Sequence, residues 1–306
     1  MLKYSKIFGL IAFVFLFAMC NQKSKNESKE TILKGSLDIT VDETVKPIID
    51  DQVAVFEGTY YDAKISVKPK SEVELINDLL NQKAKVVVTA RNLTDEELKR
   101  FEKSKIKPRV TPFAVDAIAL ISNKSNNDTL IALKSVIDFM QGKKDTGIKG
   151  LVFDNPNSST VRYMKDLAKV KDVPTEGVFS FKTNDEVIKF VSENEGMIGI
   201  VGVNWLSQPS PNMEDFIKKI NILGVKGLKD NQYHYPTQTE LAEEKYPLAR
   251  DLFIINCQGY SGLGMGFSSF IAGEIGQRII LKSSLMPVKT PGRKLQIRSE
   301  IIKDKE

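Results

Sequence analysis

Short runs of β-branched residues alternate with amphipathic segments along most of this chain, and that rhythm leaves few folds open. "AKISVKP", "AKVVVTA", "AIALIS", "GLVFDN", "MIGIVGV" and "LFIINC" read as strands. Between them lie helical patterns. In "DETVKPIIDDQVAVFEG" the apolar Val45, Ile48, Ile49, Val53 and Phe56 recur at helical spacing. "SEVELINDLLNQK" opens with a Ser-x-x-Glu capping box, and "TDEELKRFEKS" with a Thr cap and an acidic first turn. "TLIALKSVIDFMQGKK", "STVRYMKDLAKV" and "NDEVIKFVSENEG" continue the series, and "SSFIAGEIGQRIILKSSL" reads as one long helix. The Pro-, Asn- and Tyr-rich stretch 207–247 reads as loops with one short helix and one strand. Strands this rich in Val and Ile, alternating with helices, predict α/β with mostly parallel sheets. The series runs twice through the 306 residues, which predicts two α/β lobes. A ligand then belongs in the cleft, at strand C-terminal ends and helix N-termini.

The N-terminus stands outside this pattern. Lys3 and Lys6 precede "IFGLIAFVFLFAM", a 13-residue apolar run that ends at Cys20. A comfortable membrane span needs about 20 residues, so the run suits a secretory signal. The polar "NQKSKNESKE" that follows reads as a tether. The segment resembles a bacterial lipoprotein signal, in which Cys20 would be acylated, although Met19 stands where a small residue is usual. The other reading is an uncleaved anchor with an ordinary cysteine. Either exports the chain and ties it to a membrane. With Cys20 used in this way only Cys257 is left of the 2 cysteines, which rules out an internal disulfide and a cysteine-built metal site. One histidine, His234, gives little scope for imidazole catalysis or zinc. The net charge of +5 is dispersed, with no basic block of the kind that binds nucleic acid.

"FDNPNSSTVRYMKDL" (153–167) gathers Asn157, Ser158, Ser159 and Thr160 just before an amphipathic segment. One N-cap needs one such residue. Four together, with Arg162 a turn later, can also form an anion cradle of hydroxyls and free N–H groups at the positive end of a helix.

Taken in order, "GSLDIT", "VVVTARNLTDEEL", "PFAVDAIALISNKSN", "FDNPNSSTVRYM", "EGMIGIVGVNW" and "YPLARDLFIIN…FSSFIAGEIGQRII" resemble the solute-binding proteins of bacterial phosphate-uptake ABC transporters, over roughly residues 33–290. That resemblance implies a type II periplasmic-binding-protein fold: two α/β lobes joined by two hinge strands, near 113–116 and 246–251. It implies a signal peptide over 1–19, a lipidated tether over 20–32, one lobe from 33–113 with 249–306, and the other from 114–248. It also implies a phosphate site. Gly35, Ser36, Leu37 and Thr40 match the family's first loop, Thr89, Ala90 and Arg91 its second contact, and Asn157, Ser158, Ser159 and Thr160 its third. The family's Gly is Ser159 here, and the usual upstream Arg is missing, with Arg162 the nearest substitute. Arg91 has a plainer reading as a surface ion pair with Asp95 or Glu96. A protonated phosphate also wants a carboxylate acceptor. Some members place an Asp where this chain has Ala90, and Asp38, Asp116 and Asp154 stay open as candidates.

The resemblance implies no cofactor, no metal and no bond chemistry. Its partners are phosphate or a related oxyanion, an ABC permease and, through the lipid, the periplasmic side of a bacterial membrane, with the protein a monomer. A sensor or scaffold lipoprotein of the same fold is the rival. Two other motifs fall short. "GYSGLGMGF" (259–267) has the wrong glycine spacing for a dinucleotide loop, and its Ser261 has Leu263 where a nucleophile elbow needs Gly.

Overall fold

A computed structural model describes residues 30–292, so Cys20, the apolar run, most of the tether and the tail 293–306 lie outside the described residues. Among the described residues no helix is long and apolar enough to cross a membrane.

Strands β1 (Gly35–Asp42), β2 (Ala63–Lys70) and β3 (Val86–Thr89) run parallel in the order β2-β1-β3. The sheet continues through β12 (Ala249–Asn256) to β4 (Arg109–Asn123), both antiparallel to their neighbours. A second parallel group consists of β6 (Gly150–Phe153), β7 (Val178–Ser180) and β8 (Met197–Gly202). It joins β4 antiparallel through β8, and β9 (Ile220–Ile222) pairs with β4 as well. The short β13 (Met286–Pro287) pairs with Ala114 and Val115 of β4. Strands β5 (Leu130–Ala132), β10 (Gly224–Lys226) and β11 (Tyr233–His234) form a separate small sheet.

β4 is shared between the two groups. Ala117 pairs with Ala249 of β12, and the next residue, Ile118, pairs with Gly202 of β8. The return crossing runs alongside. Ile118 N–H donates to the Leu248 carbonyl at 2.9 Å, and the buried Tyr246 hydroxyl donates to the Ile118 carbonyl at 2.7 Å. Both crossings therefore lie in one pair of neighbouring strands. The core follows from the strand composition. Val86, Val87 and Val88, like Ile118, Ala119, Leu120 and Ile121, are fully buried because helices cover both faces. Each such Val, Ile or Leu contributes about 1.5–3 kcal/mol of transfer free energy.

The structure corrects three expectations. The last helix is two, Leu263–Ile271 and Glu274–Lys282, broken at Gly273. Gly276 explains the close fold-back: a Cβ there would lie 2.4 Å from the Phe270 carbonyl oxygen. The stretch 207–247 holds three strands, β9 to β11, with helical turns at Pro211–Met213, Glu214–Ile217 and Gln238–Ala242. The segment expected to be helical from Thr129 begins with β5 and turns helical only at Leu133.

The glycine-rich stretch before the penultimate helix also finds its use. Glu30 accepts from the Tyr260 hydroxyl at 2.8 Å and from Leu263 N–H at 2.7 Å. Ile32 passes so near that a Cβ on Gly266 would sit 1.7 Å from its carbonyl oxygen. These glycines seat the start of the domain against the helix end.

Candidate functional site

Three strand ends and both crossing strands converge on one buried polar cluster. After β1, Asp42 caps a short turn, Glu43–Val45, by accepting from Thr44 N–H at 3.0 Å. Pro47 then starts the Lys46–Thr59 helix, its fixed φ suiting the first turn. After β6, Ser158 caps the Ser159–Ala168 helix. Its hydroxyl accepts from Val161 N–H at 3.2 Å and donates to Asp154 at 2.5 Å. After β8, Asn204 and Trp205 stand on the Val203–Ser207 helix.

The two sides meet at Thr44 and Ser159, whose hydroxyl oxygens lie 3.0 Å apart. Arg250, from β12, donates to both, at 3.0 Å to Ser159 and 3.2 Å to Thr44. The rest of its guanidinium holds Asp116 of β4, with Nε at 2.9 Å and Nη2 at 2.7 Å from Oδ2. Side-chain exposure is 2% for Arg250 and 0% for Asp116, so this pair is out of reach of water. Burial works against the guanidinium's charge, but Asp116, Asp42 and Asp154 outweigh it and hold Arg250 above its ordinary pKa. The Thr44 carbonyl accepts from Trp205 Nε1 at 2.9 Å and from Asn204 Nδ2 at 3.2 Å.

Carboxylates crowd the same place. The Asn184 amide donates to Glu43 at 3.1 Å and to Asp154 at 3.3 Å, while its oxygen accepts from Gly202 N–H at 3.3 Å. Burial first, then the charges of Asp154 and Asp42, push Glu43 up to about 8. Burial, with Asp42 adding to it, pushes Asp154 up to about 7. Asp42 Oδ2, Glu43 Oε1, Thr89 Oγ1 and Thr160 Oγ1 are buried with no hydrogen-bond partner among the described residues. Thr89 sits beside Asp42 at the strand ends, since Val88 pairs with Val41.

Several residues expected in the site behave differently. Ser158 and Ser159 belong to the cluster and Thr160 lies fully buried beside them. Asn157 contributes backbone only, its carbonyl accepting from Val73 N–H at 3.3 Å. Ser36 and Leu37 are not brought there. They lie at the start of β1, about 20 Å from Thr44 at the rise of an extended strand, where Ser36 borders a surface depression with Asp38, Lys68 and Lys85. Arg91 holds Glu97 through two 2.8 Å bonds and also approaches Glu72 at 3.4 Å. Arg162 binds Glu72 and Asp166. Glu72, 3% exposed, is thus clasped between Arg91, just after β3, and Arg162, on the Ser159–Ala168 helix, and neither hydrogen-bonds Ser159. The plainer reading of Arg91 as an ion pair is correct in kind, with Glu97 and Glu72 as partners in place of Asp95 or Glu96.

Sequence reasoning missed Asp42, Glu43, Thr44, Asn184, Asn204 and Arg250. A signal existed for one pair: Asp116 is the one charged residue in the apolar run 113–121 of β4, and Arg250 stands with Asp251 just before the apolar run 252–255 of β12.

A phosphate-binding protein PstS of Borreliella burgdorferi is 26% identical over 301 residues, covering 93% of this chain and 99% of that protein. A putative phosphate ABC transporter substrate-binding protein from Clostridium perfringens, solved with bound phosphate, superposes with a TM-score of 0.66 at 19% identity, covering 83% of this chain and 100% of that one. An ABC-type phosphate transport receptor from Vibrio cholerae gives 0.63 at 17% identity, covering 83% and 100%. The fold is thus the type II periplasmic-binding arrangement. A family model described as a PBP superfamily domain matches residues 26–274, and the chain belongs to that superfamily.

Proposed function

We propose that this chain is an exported, lipid-anchored solute-binding protein that captures phosphate between two lobes and delivers it to an ABC permease. One lobe is 33–113 with 249–306, and the other is 114–248. Capture is closure about the paired crossing strands, with no bond chemistry, and Cys20 carries the lipid. The protein acts as a monomer on the periplasmic side of a bacterial membrane.

The observation that carries this reading is the meeting of Thr44 and Ser159 on Arg250. A tetrahedral oxyanion needs donors from several directions, and desolvating it without them costs several kcal/mol. Hydroxyls from two strand-to-helix junctions, a guanidinium fixed at the hinge and the uncommitted hydroxyls of Thr89 and Thr160 supply that set. Relatives named for phosphate binding match over most of their length, which favours phosphate among oxyanions.

Calorimetry with phosphate and sulfate tests it. Phosphate should bind in preference to sulfate, and Ser159→Ala or Thr44→Val should each weaken it by about 0.5–1.5 kcal/mol, a few-fold to tenfold. Absence of phosphate binding, or variants that bind as the parent does, would contradict the proposal.

A further inference from the structure

We infer that closure of this cleft is proton-linked, with Glu43 from one side and Asp154 from the other brought onto the two hydrogens of the Asn184 amide, so that ligand is held together with a proton taken from solvent. As applied to phosphate this rests on the function proposed above.

The geometry forces the issue. A primary amide has two N–H donors, and Asn184 gives one nitrogen to both carboxylates, at 3.1 and 3.3 Å. Glu43 follows β1, Asp154 follows β6 and Asn184 begins the Asn184–Glu193 helix, so the contact exists only when the two sides meet. The surrounding charges do not relieve it. From Glu43's own turn comes Asp42, fully buried and capping Thr44. From the β6 side comes Asp154, which already accepts from Ser158. From the crossing strands comes Arg250, whose Nε and Nη2 are spent on Asp116. Three carboxylates thus share the remainder of one positive charge, and Glu43 Oε1 and Asp42 Oδ2 accept from nothing among the described residues. Like charges so placed, with Asp42 and Asp154 fully buried and Glu43 half-buried, do not all stay ionised. A bound anion adds negative charge and sharpens the requirement. Glu43, held at about 8, and Asp154, held at about 7, are the groups that take up the proton, on a carboxylate oxygen and from water or buffer.

These two residues therefore set the charge the cleft accepts. With both raised, the closed form binds more protons than the open one between about pH 5 and 8. Closure weakens as pH rises through that window and levels off above it.

The test counts protons. Phosphate is titrated calorimetrically at pH 7.5 in buffers of differing ionisation enthalpy, for the parent, Glu43→Gln and Asp154→Asn. The ionisation of free phosphate is common to all three titrations, so a difference in uptake reports protonation inside the closed cleft. The parent should take up about one proton more than Glu43→Gln. Its affinity should also fall by up to tenfold more per pH unit between pH 6 and 8. Equal proton uptake in the parent and both variants would overturn the inference. Melting without ligand gives a second readout. The parent should lose stability from pH 5.5 to 8.5 more steeply than either variant, and equal slopes would also overturn it. If phosphate bound at no pH, the functional reading would fail while the ligand-free melts still decided the proton linkage.

Discussion

Replacing Arg250 with Met removes one partner of a buried ion pair and leaves the other in place. Asp116, with 0% side-chain exposure, loses the bonds at 2.9 and 2.7 Å, and Ser159 and Thr44 lose theirs at 3.0 and 3.2 Å. Uncovering a buried charge in this way costs about 3–5 kcal/mol. The two hydroxyls add little, because they lie 3.0 Å apart and can bond to each other. A domain of this size loses about 2–4 °C of melting temperature per kcal/mol, so Arg250→Met should melt roughly 6–20 °C lower. Adding Asp116→Leu removes the stranded carboxylate and should recover most of that loss, since a buried pair often adds little net stability over well-packed apolar residues. The assay is urea unfolding of the parent, both single variants and the double, read as a double-mutant cycle. The reasoning fails if Arg250→Met costs under about 1 kcal/mol. It also fails if the double variant is no more stable than Arg250→Met alone.

Three further outcomes are expected. Gly266→Ala should destabilise the protein by more than about 2 kcal/mol in thermal melts, because backbone at 1.7 Å cannot give way as a flexible side chain could. Trp205→Phe, which loses the 2.9 Å bond to the Thr44 carbonyl, should cost about 1–2 kcal/mol in urea unfolding, softened by the remaining Asn204 bond. Cys20→Ala should release the protein from membranes or stall its processing, and a normally cleaved variant that stayed in the membrane fraction would refute the lipid anchor.

The α/β alternation could be read from the chain because strands buried on both faces appear as unbroken apolar runs, as in "VVV" of β3. Strands of two or three residues, such as β9 to β11, are too short to display a period of two and were hidden in a loop-like composition. The direction of β4 and β12 was equally hidden, since apolar runs do not reveal whether their neighbours are parallel. At the site, the Ser158 cap and its neighbours announced themselves because capping is local chemistry. The first-loop match fixed on Ser36 and Leu37, which lie at the start of β1, whereas the site proposed above uses the strand's C-terminal end, Asp42 to Thr44, where parallel strands commonly present ligand sites. Arg162 looked available for an anion because its partner Glu72 is 90 residues away in sequence and meets it only after folding, whereas Arg91's main partner, Glu97, is six residues on.

Locating the oxyanion itself tests the central claim most directly. Arsenate has the size and charge of phosphate, and its anomalous scattering identifies it without ambiguity in a crystal grown with the ligand. The account predicts one peak between Thr44 and Ser159, within hydrogen-bond distance of both hydroxyls and near Arg250. A peak elsewhere, such as the lysine-lined depression beside Ser36, or an empty cleft at millimolar arsenate, would contradict it.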